Sequence, residues 1–234
     1  MIEWRKSNSD ILLNNAEKFL LLIKHPTKTR VLVSDQIKAV GIIGSILLDL
    51  TNDKHLEIED GKLIVKSIGP DLSIPHKMIL EQIENSSSIR KIKPWIAKLT
   101  RSSRTYQKEV LLGLESKGII TMAHKSFLGI KYYKTRLINN DIREKTIQGI
   151  RDIIFNGDKI NNENALILGL IDACNLQKII CPDKQELKLC KKKLKEIMKS
   201  DLISQGVDKV IKDMQAAVIG AIVASTVVVN AGSR

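Results

Sequence analysis

Residues 214–229, MQAAVIGAIVASTVVV, limit the folds open to this chain more than any other part, because they run for 16 residues without a charge. A membrane-spanning helix needs about 20 apolar residues, so the segment is too short to cross a bilayer. Its Ala, Gly and Ser content suits a helix packed closely at the centre of a bundle and buried on all sides. The rest of the chain must then supply amphipathic elements to cover it.

Those elements can be read in order. Residues 1–12 are polar and read as a loose leading segment, and MIEWRKSNSD lacks the apolar run of a signal peptide. Ile11 to Ile23 is apolar and periodic, with helix and strand both fitting FLLLIK, and it ends at His25-Pro26. Ser34 offers an N-cap for a helix carrying Ile37, Val40, Ile43, Leu47 and Leu48, in which Gly41 and Gly44 permit a close neighbour. HLEIEDGKLIVKS alternates on both sides of Asp60-Gly61, which is a hairpin signal.

Pro75 opens a helix with Met78, Ile79 and Ile83 on one face, and Pro94 opens a short helix with Trp95, Ile96 and Leu99 inward. Ser102 or Ser103 caps a longer helix through Val110, Leu111 and Leu114 that stops at Gly118. Ile119 to Tyr133 alternates imperfectly about His124-Lys125-Ser126 and reads as a second hairpin turning there. Asn140 or Asp141 caps a helix through Ile154, residues 165–180 read as one continuous core helix, and Asp183 opens an amphipathic helix with Cys190 and Leu194 inward. The expected fold class is mainly α: one helical domain over residues 13–234, around a buried C-terminal helix and decorated by two β-hairpins.

Residues 90–108 carry seven Lys or Arg and no carboxylate, within a chain of net charge +12. The bias returns over residues 116–140, where Lys117, Lys125, Lys131, Lys134 and Arg136 surround the apolar patch Phe127, Leu128, Ile130, Tyr132 and Tyr133. A surface both basic and apolar suits a polyanion, either an anionic membrane or a nucleic acid. Arg104 in the first turn of a helix would combine a bidentate fork with backbone N–H groups toward a phosphate. Lys108 lies one turn on, with Arg101 and Lys98 on the approach.

Little competes with that reading. Cys174, Cys181 and Cys190 form an odd set without CxxC spacing, which argues against zinc and a disulfide framework and fits a reducing intracellular compartment. Glycine-rich phosphate loops and nucleophile elbows are absent from the sequence, and His25, His55, His76 and His124 stand apart from one another. Neither an enzyme nor a cofactor is expected.

The succession GIIGSILLDL, HLEIEDGKLIVKS, PWIAKL, LESKGIITMAHKSFLGIKYYKTRL and KLKEIMKSDLISQGVDKVIKDMQAAV resembles the Golgi phosphoprotein family over nearly the whole chain after Leu12. The resemblance implies a mostly helical peripheral membrane protein with a prominent hairpin. Eukaryotic members bind phosphatidylinositol 4-phosphate and recruit glycosyltransferases. The family's headgroup positions, a tryptophan, an arginine and two basic residues, fall here on Ser34, Ile43, Arg104 and Gln107, so that Arg104 alone matches and Lys108 adjoins the fourth. The pattern suits a prokaryotic or divergent member meeting other anionic lipids.

The leading expectation is therefore a cytoplasmic peripheral membrane protein on the cytosolic face. It would bind anionic phospholipid through Arg104, Lys108, Gln107, Arg101, Lys98 and Ser34, and dip the second hairpin into the interface. Self-association through that hairpin and membrane-enzyme clients are compatible partners. The alternative is a nucleic-acid-binding module, since a helix followed by a wing-like hairpin occurs twice, although only eight aromatics are available for base stacking.

Overall fold

The computed structural model describes residues 11–88, 91–127, 130–138, 140–157, 161–199 and 216–223. Helix α1 (Asn15–Ile23) starts in a capping box: Asn14 accepts from the Glu17 N–H at 2.9 Å, and Glu17 accepts from the Asn14 N–H at 3.0 Å. Leu12 and Leu13 precede it, and its residues other than Lys18 are buried, which resolves FLLLIK as helix. Lys24 ends it two residues before Pro26.

Helix α2 (Asp35–Asn52) is the axis of the structure. Ser34 caps it as expected, its hydroxyl accepting from the Ile37 N–H at 3.3 Å. Every residue from Val40 to Thr51 is buried, and α2 packs on α1 and on α3 (Ile74–Glu84), α4 (Ile92–Arg101), α5 (Ser103–Ser116) and α7 (Asn162–Ala173). Buried hydroxyls within it are satisfied locally: Ser45 donates to the Ile42 carbonyl at 2.9 Å and Thr51 to the Leu47 carbonyl at 2.7 Å. Its two glycines are the places where neighbours come closest. A Cβ on Gly41 would stand 2.1 Å from the buried Phe19 ring, and one on Gly44 2.4 Å from Val218.

The first hairpin, β1 (Leu56–Glu59) with β2 (Lys62–Val65), turns at Asp60 and Gly61 with φ of 49° and 72°. Two successive left-handed residues give the tight turn whose twist matches the strands. The second, β3 (Ile120–Phe127) with β4 (Ile130–Leu137), is longer than expected and turns later. Phe127 pairs with Ile130, whereas His124, Lys125 and Ser126 lie inside β3 opposite Tyr133, Tyr132 and Lys131. Both strands are largely polar because much of the hairpin is exposed, so polarity was no guide to the turn.

After α6 (Asp141–Asn156), the apolar run expected as one core helix is two: α7 and the short α8 (Gln177–Ile180). Asn175 adopts a left-handed φ of 54°, while the Leu176 N–H reaches the Ile171 carbonyl at 2.9 Å and the Asn175 N–H the Asp172 carbonyl at 3.2 Å. This is a Schellman ending with Asn in the position usually given to Gly. Helix α9 (Lys184–Lys199) is capped by Asp183 and turns Cys190 and Leu194 inward as expected.

Residues 216–223 form a last helix, α10. Ala217, Val218 and Ile222 join the core, but Val223 is 51% exposed. The described part of the 214–229 segment is thus buried along one face, and the helix enclosed on all sides is α2. The remainder of that segment and the leading residues 1–10 lie outside the described residues. The class is the expected one, mainly helical with two antiparallel hairpins.

The glycine contacts make a paired test. Gly41→Ala should lower unfolding free energy, because overpacking against a rigid buried ring costs about 1–3 kcal/mol and outweighs the helix-propensity gain of about 1 kcal/mol. Gly149→Ala, exposed in α6 with open space around it, should instead raise stability by about 1 kcal/mol in urea denaturation.

Candidate functional site

Helix α5 is oriented by what it buries. Tyr106, Val110, Leu111 and Leu114 face the core, and the Tyr106 hydroxyl donates to the Gln82 side chain on α3. That leaves Arg104 and Lys108 exposed, one turn apart on one face. The helix ends at Gly118 in a left-handed turn, with the Ile119 N–H on the Leu114 carbonyl at 3.0 Å, and the chain passes directly into β3. The hairpin is thereby held beside the basic face of α5.

Between them lies a groove of about 590 Å³ lined by Lys108, His124, Lys125, Ser126, Tyr132 and Tyr133. Tyr132 is exposed and Tyr133 half-buried. Burial pushes the Tyr133 phenol up and the Arg104 charge opposes it, while Asp35 is held below the usual carboxylate range by Lys38 first and Arg104 after it. The Arg104 charge thus reaches both Asp35 at the amino end of α2 and Tyr133 on β4. Asp35 is already matched by Lys38, whose Nζ lies 2.6 Å away.

Of the residues expected at the site, Lys108, Tyr132 and Tyr133 line the groove, and Arg104 stands one turn before Lys108, outside the lining but with its charge felt at Tyr133. Ser34 sits nearby at the start of α2 with its hydroxyl used in capping, and Gln107 is half-buried next to Lys108. Arg101 is exposed at the end of α4, and Lys98 lies over the Trp95 ring of the same helix at 4.7 Å; neither lines the groove. Phe127 and Ile130 form the last described pair of the hairpin, but their side chains, and Leu128 altogether, lie outside the described residues. The start of α5 is a joint rather than an open terminus: Ser102 alone separates it from α4, and its side chain makes no capping bond.

Sequence reasoning placed His124, Lys125 and Ser126 in a turn and so missed them as groove residues. Pairing by twos across the strands from Tyr132 and Tyr133 would have found them. It also missed Lys24, which is buried and ties α1 to β4 by donating to the Thr135 carbonyl and hydroxyl, and to the Thr29 carbonyl at 3.1 Å. Arg143, likewise buried, donates to the Leu22 carbonyl at 3.2 Å and pairs with Glu144 at 3.0 Å. These two cations complement the carbonyl end of α1. Burial pushes the Cys174 and Cys181 thiols up to about 12, which marks them as unreactive core residues. Among the described residues no cluster of His, Cys, Asp or Glu could hold a metal ion, and no helix is long and apolar enough to cross a membrane.

With this geometry in view, the family model described as Golgi phosphoprotein 3 (GPP34) matches residues 16–214 of the chain. Comparison with curated proteins finds no match.

The buried strap carries a pH signature. Burial first, and the Lys38 charge second, push Lys24 from 10.5 down to about 8. Between about 8 and 10.5 the unfolded chain still holds a proton that the folded chain has released, so this group makes stability rise with pH across that window. Urea denaturation of the wild-type chain and of Lys24→Met should show the difference: the rise attributable to Lys24 disappears in the variant.

Proposed function

The chain belongs to the Golgi phosphoprotein family, and we propose that it works as a peripheral membrane protein that binds anionic phospholipid headgroups, phosphoinositides among them, through the α5 and β3–β4 surface. The observation that carries this reading is the placing of exposed Arg104 and Lys108 beside a groove walled by Tyr132 and Tyr133. Guanidinium and ammonium groups attract phosphate, and tyrosine rings settle at the level of lipid headgroups. Lys125, Lys134 and Arg136 are exposed and extend the same sign of charge along the hairpin, with no carboxylate in residues 116–140 to oppose it, whereas Lys117 is taken up by Glu17 on α1 at 2.6 Å.

The headgroup would meet Arg104 and Lys108 first, with Lys125 and His124 at the opposite wall. The aromatic side chains would then be covered by the interfacial region as the hairpin approaches. Arg101, Lys98 and the outward lysines of α9 add to the attraction at a distance without contacting the same ligand, so their share fades within a Debye length of about 10 Å at 0.1 M salt. Residence at a cytosolic membrane face and recruitment of membrane enzymes belong to this same reading.

Burial of α2 bears on the nucleic-acid alternative. A recognition helix has to enter a groove, and α2 is buried from Val40 to Thr51. That burial weighs against the first helix-hairpin unit as a groove reader and leaves α5 with the second hairpin as the unit to test.

Vesicle cosedimentation tests the proposal. Arg104→Glu with Lys108→Glu should weaken binding to anionic vesicles by about 1 kcal/mol or more per basic residue lost. Binding of the wild-type chain should fade as salt rises, and neutral vesicles should bind weakly throughout. Duplex DNA that outcompetes anionic vesicles at equal phosphate concentration would sink the membrane reading in favour of nucleic acid.

A further inference from the structure

His76 does not stand alone in the fold. Its Nε2 lies 3.1 Å from the Asp49 carboxylate on α2, and its Nδ1 lies 2.6 Å from the Ser73 hydroxyl just ahead of α3. Asp49 and His76 are buried, whereas Ser73 is exposed. All three line a cavity of about 430 Å³ at the amino ends of α1 and α3. Asp49 is held by further donors: Asn15 Nδ2 at 2.7 Å, the Asn15 N–H at 3.3 Å and the Ala16 N–H at 3.4 Å.

From this arrangement we infer that Ser73, His76 and Asp49 form a nucleophile, base and orienting carboxylate able to hydrolyse a small carboxylic ester. A carboxylate only accepts hydrogen bonds, so Asp49 requires the proton on Nε2 and leaves Nδ1 of the neutral ring as acceptor for the Ser73 hydroxyl. That is the geometric requirement for an activated serine: nucleophile to base, and base to a third group that fixes its tautomer. The serine also has no competing duty, because as the N-cap residue of α3 its side chain makes no capping bond. Pro75 has no N–H, so the first-turn amides of α3 belong to Ile74 and His76. Amides in that position lack intrahelical acceptors and present partial positive charge to an oxyanion.

The steps balance with water as the only co-reactant. Ser73 Oγ bonds to the acyl carbon while its proton passes to His76 Nδ1. The bond from the acyl carbon to the alcohol oxygen breaks, and the alcohol leaves with that proton. Water then attacks the acyl-serine, gives a proton to Nδ1 and releases the carboxylic acid, and Ser73 takes its proton back. Asp49 stabilises the imidazolium that forms in each half. Leu12, Leu13 and Leu72 provide apolar wall, and Asp53 and Asp71 at the same cavity disfavour anionic substrates. The class indicated is a short-chain ester that is neutral or cationic. This site is separate from the α5 surface, and its test does not depend on membrane binding.

The full chain treated with a fluorophosphonate should be phosphonylated at Ser73, read by intact mass and peptide mapping, and Ser73→Ala should remain unmodified with an unchanged melting temperature. Hydrolysis of p-nitrophenyl acetate should fall at least tenfold in Ser73→Ala. Absence of label at Ser73 in the wild-type chain, or equal hydrolysis by the two proteins, would overturn the inference and leave the three residues as a structural tie.

Discussion

Asp49 lies near the carboxyl end of α2 with its carboxylate turned into the interior, where two backbone N–H groups of α1, the Asn15 side chain and His76 all point at it. A buried carboxylate without partners would cost several kcal/mol, so its position is tenable only while α1 and α3 present those donors together. The converse holds for α1, whose first amides would otherwise be buried without acceptors. This one group therefore couples the start of α1, the end of α2 and the start of α3. The glycines of α2 act in the same direction by letting Phe19 and Val218 approach where any larger residue would hold them off.

The opposite end of α1 is secured by cations. Lys24 and Arg143 are buried and directed at backbone carbonyls, so their charge is used within the fold. Arg104 and Lys108 differ in being exposed on α5, and exposed charges contribute about 0–1 kcal/mol to stability even when paired. The core thus accounts for the inward basic residues and leaves the outward ones on α5 and the hairpin available to a partner. The α5 packing that buries Tyr106 and Leu114 is also what sets Lys108 against Tyr132 and Tyr133, so the groove is a consequence of the core.

Local rules made much of this legible. Ser34, Asp60-Gly61, Gly118 and Asp183 each mark an element boundary through a short-range effect of capping or backbone conformation, and each boundary falls where such rules put it. The failures occur where two readings of one residue compete. Asn175 is tolerated within a helix but also suits a left-handed ending, and the apolar residues around it concealed the break between α7 and α8. In the second hairpin, polar His124-Lys125-Ser126 imitated a turn, since an exposed strand is as polar as a loop. The long-range partners were beyond periodicity altogether. Nothing in the spacing of Asp49 and His76, or of Lys24 and Thr135, declares that they meet.

On the proposed reading, the hairpin beside α5 enters the headgroup region of an anionic bilayer. That entry is tested most directly by brominated-lipid quenching of Tyr132→Trp in a Trp4→Phe background, compared with Trp4→Phe alone, in which the remaining Trp95 is buried. Anionic vesicles carrying bromine near the headgroup end of the acyl chains should quench the added fluorescence, and neutral ones should not. A Tyr132→Trp protein that cosediments with anionic vesicles yet shows no more quenching than its parent would contradict the account, placing the contact elsewhere on the molecule.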